Sequence, residues 1–245
     1  MSLFAIADLH LSSDGSKSMD KFGPRWKDYM TRLKQNWGKI VTEDDTVILP
    51  GDISWSLKLE DALQDLQFLN SLPGKKLIGK GNHDFWWTTA AKMNAFFNAN
   101  QLNSIKLLYN NAYKTEDMIV CGTRGWFVEE SQQNTVGSVD YLRIVNRETI
   151  RLSMSLDEAV RLRLKKENEN LPILVFFHFP PVWNEFVCRE IVDVLHKYQI
   201  TTCYFGHIHS AYSAPPKITF EGIDFIFCAS DYLGFTPLLV RSPEK

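Results

Sequence analysis

Short continuous apolar runs alternate, over the first hundred positions, with longer stretches whose apolar residues recur every three or four positions. Five such runs along the chain end in a burst of polar residues: Ser2 to Asp8, Thr46 to Asp52, Lys76 to Asp84, Pro172 to His178 and Thr201 to His209. Runs of about four to six apolar residues suit strands buried on both faces of a sheet. Helical spacing covers Trp26 to Trp37, Leu57 to Leu72, Trp86 to Phe97 and Glu185 to Tyr198. The alternation predicts an α/β layered fold. Between Gly137 and Asn170, Leu142, Val145, Leu152 and Leu156 fall near helical spacing, and Ser155 with Glu158 has the form of a capping box. That pattern predicts two charged helices, 138–152 and 156–169. Toward the end, Ile218 to Phe220, Ile223 to Cys228 and Leu238 to Val240 read as short strands. With no repeat, low-complexity tract or linker, residues 1–245 read as a single domain.

Composition narrows the class. The 245 residues are 44% apolar and 23% charged, so a core large enough to hold a buried polar site forms without disulfides. Lys and Arg number 27 and Asp and Glu 29, a formal charge of −2. No basic excess draws the chain to duplex nucleic acid, and no acidic excess marks a disordered tail. Cys121, Cys188, Cys203 and Cys228 are far apart with no C-x-x-C pair, which argues against thiolate zinc and a disulfide framework. Met1 to Asp8 has no basic segment of the signal-peptide kind. The longest apolar stretch, Leu171 to Trp183, contains His178 and two prolines and falls short of the ~20 residues of a membrane span. The expectation is a soluble, cytoplasmic protein with no membrane partner.

The five strand ends carry the candidate chemistry: Asp8 and His10, Gly51 and Asp52, the run Gly81, Asn82, His83 and Asp84, then His178, and finally Gly206, His207 and His209. Five of the 6 histidines stand there, and the other, His196, lies in a helical pattern. Ligands of α/β sheets bind at strand ends. Residues i and i+2 of extended chain face one side, so Asp8 with His10, and His207 with His209, read as pairs presented together. Alone, a histidine is usually a satisfied surface or core residue and a Gly-Asp pair a turn. Five polar bursts, each after an apolar run, point instead to a metal site. Asp, Asn and His donors without sulfur suit manganese, iron or zinc, and are too rich in histidine for calcium or magnesium.

This motif set resembles that of the calcineurin-like metallophosphoesterase superfamily, and it spans residues 8 to 209. The resemblance implies two central mixed sheets flanked by helices in α-β-β-α layers, with a two-metal site. It implies Asp8, His10 and His209 on one metal, Asn82, His178 and His207 on the other, and Asp52 bridging them. His83 would bind no metal and would face the scissile phosphate. The implied cofactors are two metal ions, manganese or iron, or zinc. Such a pair can bridge a water, lower its pKa and aim it in line at phosphorus. The leaving oxygen then needs a proton, which a histidine near its ordinary pKa supplies; His83 is the candidate general acid, and the Asn82 amide a further contact for the water or a phosphate oxygen.

Departures refine the substrate. Where protein Ser/Thr phosphatases extend the second motif as Gly-Asp-x-Val-Asp-Arg-Gly, this chain reads Gly51-Asp52-Ile53-Ser54-Trp55-Ser56, without the second Asp or the Arg. A small or nucleotide-like phosphoester is the expected partner, with no stable nucleic-acid partner. A nuclease acting on single strands and a non-catalytic scaffold are the alternatives, although all eight motif positions stand. Arg124 and Trp126 read as substrate-binding residues, through a guanidinium on a phosphate and an indole stacked on a base, against plain core packing for the tryptophan. Trp26, Trp37 and Trp86 read chiefly as core. Asp84 reads as a helix-start residue or a partner to the ligands. Arg143, Arg147 and Arg151 line one helical face, read as a solvated face or a phosphate-contacting lid.

Overall fold

The computed structural model describes residues 1–15, 17, 19–128 and 138–241. The chain divides into two compact units. Unit 1 comprises Met1–Leu107, His207–Ala214 and the chain from Cys228 on; unit 2 comprises Leu108–Gly206 and Pro215–Phe227.

Unit 1 is built on a five-stranded sheet of β1 (Leu3–Ala5), β2 (Thr46–Leu49), β3 (Lys75–Ile78), β4 (Ile105–Leu107) and β13 (Leu238–Arg241), in the order β13-β1-β2-β3-β4. The first four run parallel and β13 is antiparallel to β1. Every residue of β1 and β2 is buried, as their unbroken apolar runs require. Helices α1 (Tyr29–Ile40), α2 (Leu63–Ser71) and α3 (Ala90–Ala99) contribute to the same core, α1 through Tyr29, Leu33 and Trp37 at four-residue spacing.

Unit 2 carries a six-stranded sheet in the order β11-β12-β10-β7-β6-β5, formed by β5 (Asn111–Lys114), β6 (Ile119–Thr123), β7 (Ile173–Phe177), β10 (Thr202–Phe205), β11 (Lys217–Phe220) and β12 (Ile223–Phe227). The inner four strands are parallel, and β5 and β11 are antiparallel edges. A two-stranded ribbon, β8 (Val182–Trp183) with β9 (Phe186–Val187), precedes α5 (Arg189–Lys197). Two large mixed sheets flanked by helices are the fold the motif resemblance implies.

Several element boundaries differ from expectation. One helix, α4 (Ser138–Arg163), replaces the expected pair and is followed by a 3-10 turn at Lys166–Asn168. Ser155 is no cap: its hydroxyl accepts the Gly122 N–H at 2.9 Å and donates to the Asn111 carbonyl at 2.6 Å. With Val145, Glu148, Leu152, Leu156 and Ala159 it forms one buried stripe over β5 and β6. Tertiary packing thus overrides a local start signal. Helix α3 starts not at Trp86 but after Thr89, whose side chain accepts the Lys92 N–H. The ribbon takes the first residues expected of α5. All four cysteines are buried free thiols.

Candidate metal centre

The polar bursts at 8–10, 52 and 81–84 follow the carboxyl ends of the parallel strands β1, β2 and β3. Beyond β1 and β2 the two loops run on side by side, with the Asp8, His10 and Leu11 N–H groups donating to the Gly51, Asp52 and Ile53 carbonyls at 2.9–3.0 Å. The backbone there is not extended. Asp8 (φ 60°), His10 (φ 47°), Asp52 (φ 51°) and His207 (φ 71°) all occupy the left-handed region. Asp8 and His10 therefore meet through turned backbone, not through the alternation of an extended strand.

Glycines let the loops interleave. A Cβ on Gly51, at φ 103°, would come 2.5 Å from the Gly81 nitrogen, and one on Gly81 would collide with Asp52. Asp84 fastens the arrangement. Its Oδ2 accepts the Asp52 and Gly81 N–H groups at 2.8 Å, and its Oδ1 accepts the Ile53 N–H at 2.8 Å and the Trp86 indole at 3.0 Å. Asp84 is thus a partner to the ligand loops and not a helix start, and Trp86 is a buried core residue. Burial raises the Asp84 carboxyl pKa, and its N–H donors pull it back.

Asp52 Oδ1 accepts the His83 N–H at 2.8 Å, and Asp8 Oδ2 accepts the His207 N–H at 2.8 Å. Asp8 and Asp52 are 0% and 1% exposed; burial and the Asp52 charge push the Asp8 carboxyl well above its usual range. Burial and neighbouring imidazoles hold His10 well below the imidazole range, and they lower His207 to about 3. Crowded anionic oxygens beside neutral imidazoles are the donor set a divalent cation satisfies. His10 Nε2 lies 3.0 Å from His209 Nε2 and 3.6 Å from Asp52 Oδ2. Asp8, His10 and His209 each offer a ligand atom, and these atoms lie within 4.8 Å of one another. The residues fit a metal ion.

Two features of this centre lie outside the motif pattern. His209 Nδ1 is 3.0 Å from Oδ1 of the fully buried Asp231, whose Oδ2 accepts the Ser210 N–H at 3.0 Å. Although burial pushes upward, these donors hold the Asp231 carboxyl below its usual range. Trp55 stacks on His10 at 4.8 Å and packs on His83 at 4.4 Å between ring centroids. It occupies the position of the second Asp in the longer phosphatase motif, so an indole stands against His83. Burial lowers the His83 pKa, with His209 and Lys17 adding to the effect, which corrects the expectation of an ordinary value. Trp26 is core as expected, and also packs on His10 and His209.

Among the motif residues, Asp8, His10, Asp52, Asn82, His83, His207 and His209 belong to unit 1, with Asn82 half-buried between Gly81 and His83. His178, buried after β7, belongs to unit 2, and its carbonyl accepts the Gly206 N–H at 3.1 Å. Arg124 and Trp126 follow β6 in the same unit, and both contact the Phe179 ring. Arg151 and Arg147 pair with the buried Glu148 at 2.7 and 3.4 Å, while Arg143 is exposed.

A family model described as calcineurin-like phosphoesterase matches residues 1–211. No curated protein matches the chain. Solved structures of similar fold include a protein of unknown function from Aquifex aeolicus, 15% identical, covering 97% of this chain and 94% of that one, with a TM-score of 0.45. A protein from Thermus thermophilus is 10% identical over 94% of this chain and 89% of its own, with a TM-score of 0.49. Another structure, 12% identical over 92% and 89%, has a TM-score of 0.52.

Proposed function

Since the chain belongs to the calcineurin-like phosphoesterase family, we propose that it hydrolyses phosphoric mono- or diesters of small or nucleotide-like molecules at a two-metal centre. The observation that carries this reading is the convergence of Asp8, His10 and His209 on one point, with Asp52 beside them. Asp8, His10 and His209 would hold one ion, Asn82, His178 and His207 the other, and Asp52 both. Manganese or iron suits these donors, with zinc as the alternative. Metal ions so held supply positive charge for the phosphoryl oxygens and acidify a water.

The chain's own residues do the rest. Asp84 holds the Asp52 loop through two backbone N–H groups, and so sets the bridging carboxylate before any ligand arrives. His83 is anchored through its backbone to Asp52 and through its ring to Trp55. As general acid it gives a proton to the leaving oxygen. Its lowered pKa makes the protonated form scarcer and a stronger donor. The proposal includes a cytoplasmic setting and a small phosphoester as the partner; no helix of the described residues is long and apolar enough to cross a membrane.

The test couples metal content to leaving-group dependence. Asp52→Ala should lose both ions by elemental analysis, whereas His178→Ala should lose mainly one. His83→Asn should keep both and slow alkyl esters about 10²–10⁴-fold, with a much smaller effect on nitrophenyl esters, whose phenolate leaves unaided. Equal slowing across leaving groups would remove the general-acid role. Absence of turnover of any small phosphoester by the loaded protein would refute the hydrolase.

A further inference from the structure

We propose that Arg124 and Trp126 form a phosphate-binding edge in unit 2, with the Arg124 Nε–H and the Trp126 Nε1–H donating to oxygens of a phosphate group. The proposal rests on the phosphoester reading and deepens it.

The loop that carries these residues is built, not slack. Gly125 sits at φ 75°, and a Cβ there would come 3.0 Å from the Phe179 carbonyl oxygen and 3.2 Å from the Phe177 ring. Phe179 donates its N–H to the Arg124 carbonyl at 2.8 Å. The turn thus sets the arginine and the tryptophan on either side of a left-handed glycine, both against one ring. The Arg124 guanidinium lies 5.6 Å from the Phe179 centroid, and the Trp126 indole meets that ring edge-on at 6.0 Å.

Both nitrogens, Arg124 Nε and Trp126 Nε1, are buried and have no hydrogen-bond partner among the described residues. Buried donors are normally satisfied, so each such case calls for a group that accepts. Neither donor can accept in return, and the unprotonated oxygens of a phosphate are pure acceptors. The surrounding charge has the matching sign. Arg147 and Arg151 share Glu148, to which Thr123 adds a contact at 3.3 Å. These two arginines, Arg124 and Glu148 all bear on the Tyr109 hydroxyl, so among the described residues three guanidinium groups and one carboxylate act on it. That excess suits a dianion better than a carboxylate ligand.

The test reads binding without turnover. The full ¹⁵N-labelled chain, stripped of metal by a chelator, is titrated with inorganic phosphate while indole and arginine Nε–H resonances are followed. Trp126→Phe keeps an aromatic ring beside Phe179 while removing the indole N–H, and it identifies the Trp126 signal. A saturable shift of that signal is expected, with phosphate affinity at least tenfold weaker in Trp126→Phe and in Arg124→Gln. An unmoved Trp126 resonance, wild-type affinity in both variants, or an equal response to acetate would each overturn the phosphate edge. Because no metal is present, loss of hydrolysis in the loaded protein with a retained phosphate shift rejects the hydrolase and supports the edge.

Discussion

Asp8, His10, Asp52 and His207 hold left-handed backbone at φ values of 60°, 47°, 51° and 71°, a conformation that costs non-glycine residues about 1–3 kcal/mol each. The surroundings enforce it: the Ser230 hydroxyl donates to the Asp8 carbonyl at 2.6 Å, Tyr29 donates to the His10 carbonyl at 2.7 Å, and Asp84 grips the Asp52 N–H. Strain held in place this way keeps donors aimed at one point before a metal arrives. Asp231 extends the logic to His209, because a carboxylate on Nδ1–H leaves Nε2 as the lone-pair donor. Asp231→Asn should keep the fold and weaken metal binding about 10–100-fold. Calorimetric titration of the metal-free protein with manganese checks this, and unchanged affinity would make Asp231 a packing residue. The motif donors were legible because each follows directly on a buried apolar run. Asp231 was not, since it lies 22 residues beyond His209 and meets it only through the folded loop.

At the scale of elements, strands read more clearly than helices. A strand such as β2 is buried on both faces, so its signal is a plain apolar run. In α4, by contrast, polar Glu148 and Ser155 occupy the buried stripe. The partners of Ser155, Gly122 of β6 and Asn111 of β5, come from tertiary contacts that no window of sequence contains, whereas Glu148 pairs with Arg151 one turn on in the same helix. Strand β3 hides a similar surprise. Lys76 is 0% exposed, and its ammonium donates to the Leu72 carbonyl and to the Ser104 hydroxyl, the latter at 3.2 Å. Burial lowers its pKa from 10.5 to about 8. Between these values the unfolded chain binds more protons at this site than the folded one, so this group adds stability as pH rises above about 8. Buried thiols act oppositely once the unfolded chain ionises near 9; burial pushes Cys121 up to about 12. Urea midpoints for wild type should therefore rise relative to Lys76→Met between pH 7.5 and 9. Parallel curves would show that Lys76 is not titrating in that window.

For the molecule as a whole, the charge balance decides which phosphoesters approach it. A nucleic-acid enzyme gathers its substrate with a surplus of Lys and Arg, and the counterions it displaces make binding fall steeply with salt. Here 27 basic residues face 29 acidic ones, and basic side chains such as Arg189, Lys217 and Arg161 are already paired with carboxylates. Positive charge would concentrate at the metal centre. Such a focus serves a ligand the size of one or two phosphates, and offers no track for a polyanion. KM for a small phosphodiester should therefore change by less than about tenfold between 50 and 200 mM salt, whereas several phosphate contacts along a strand would cost about 10³-fold or more. Steady-state kinetics on a nitrophenyl phosphodiester and on a short single-stranded oligonucleotide, across that salt range, separate the two. Preferred and steeply salt-dependent cleavage of the oligonucleotide would identify a nuclease in place of a small-molecule phosphoesterase.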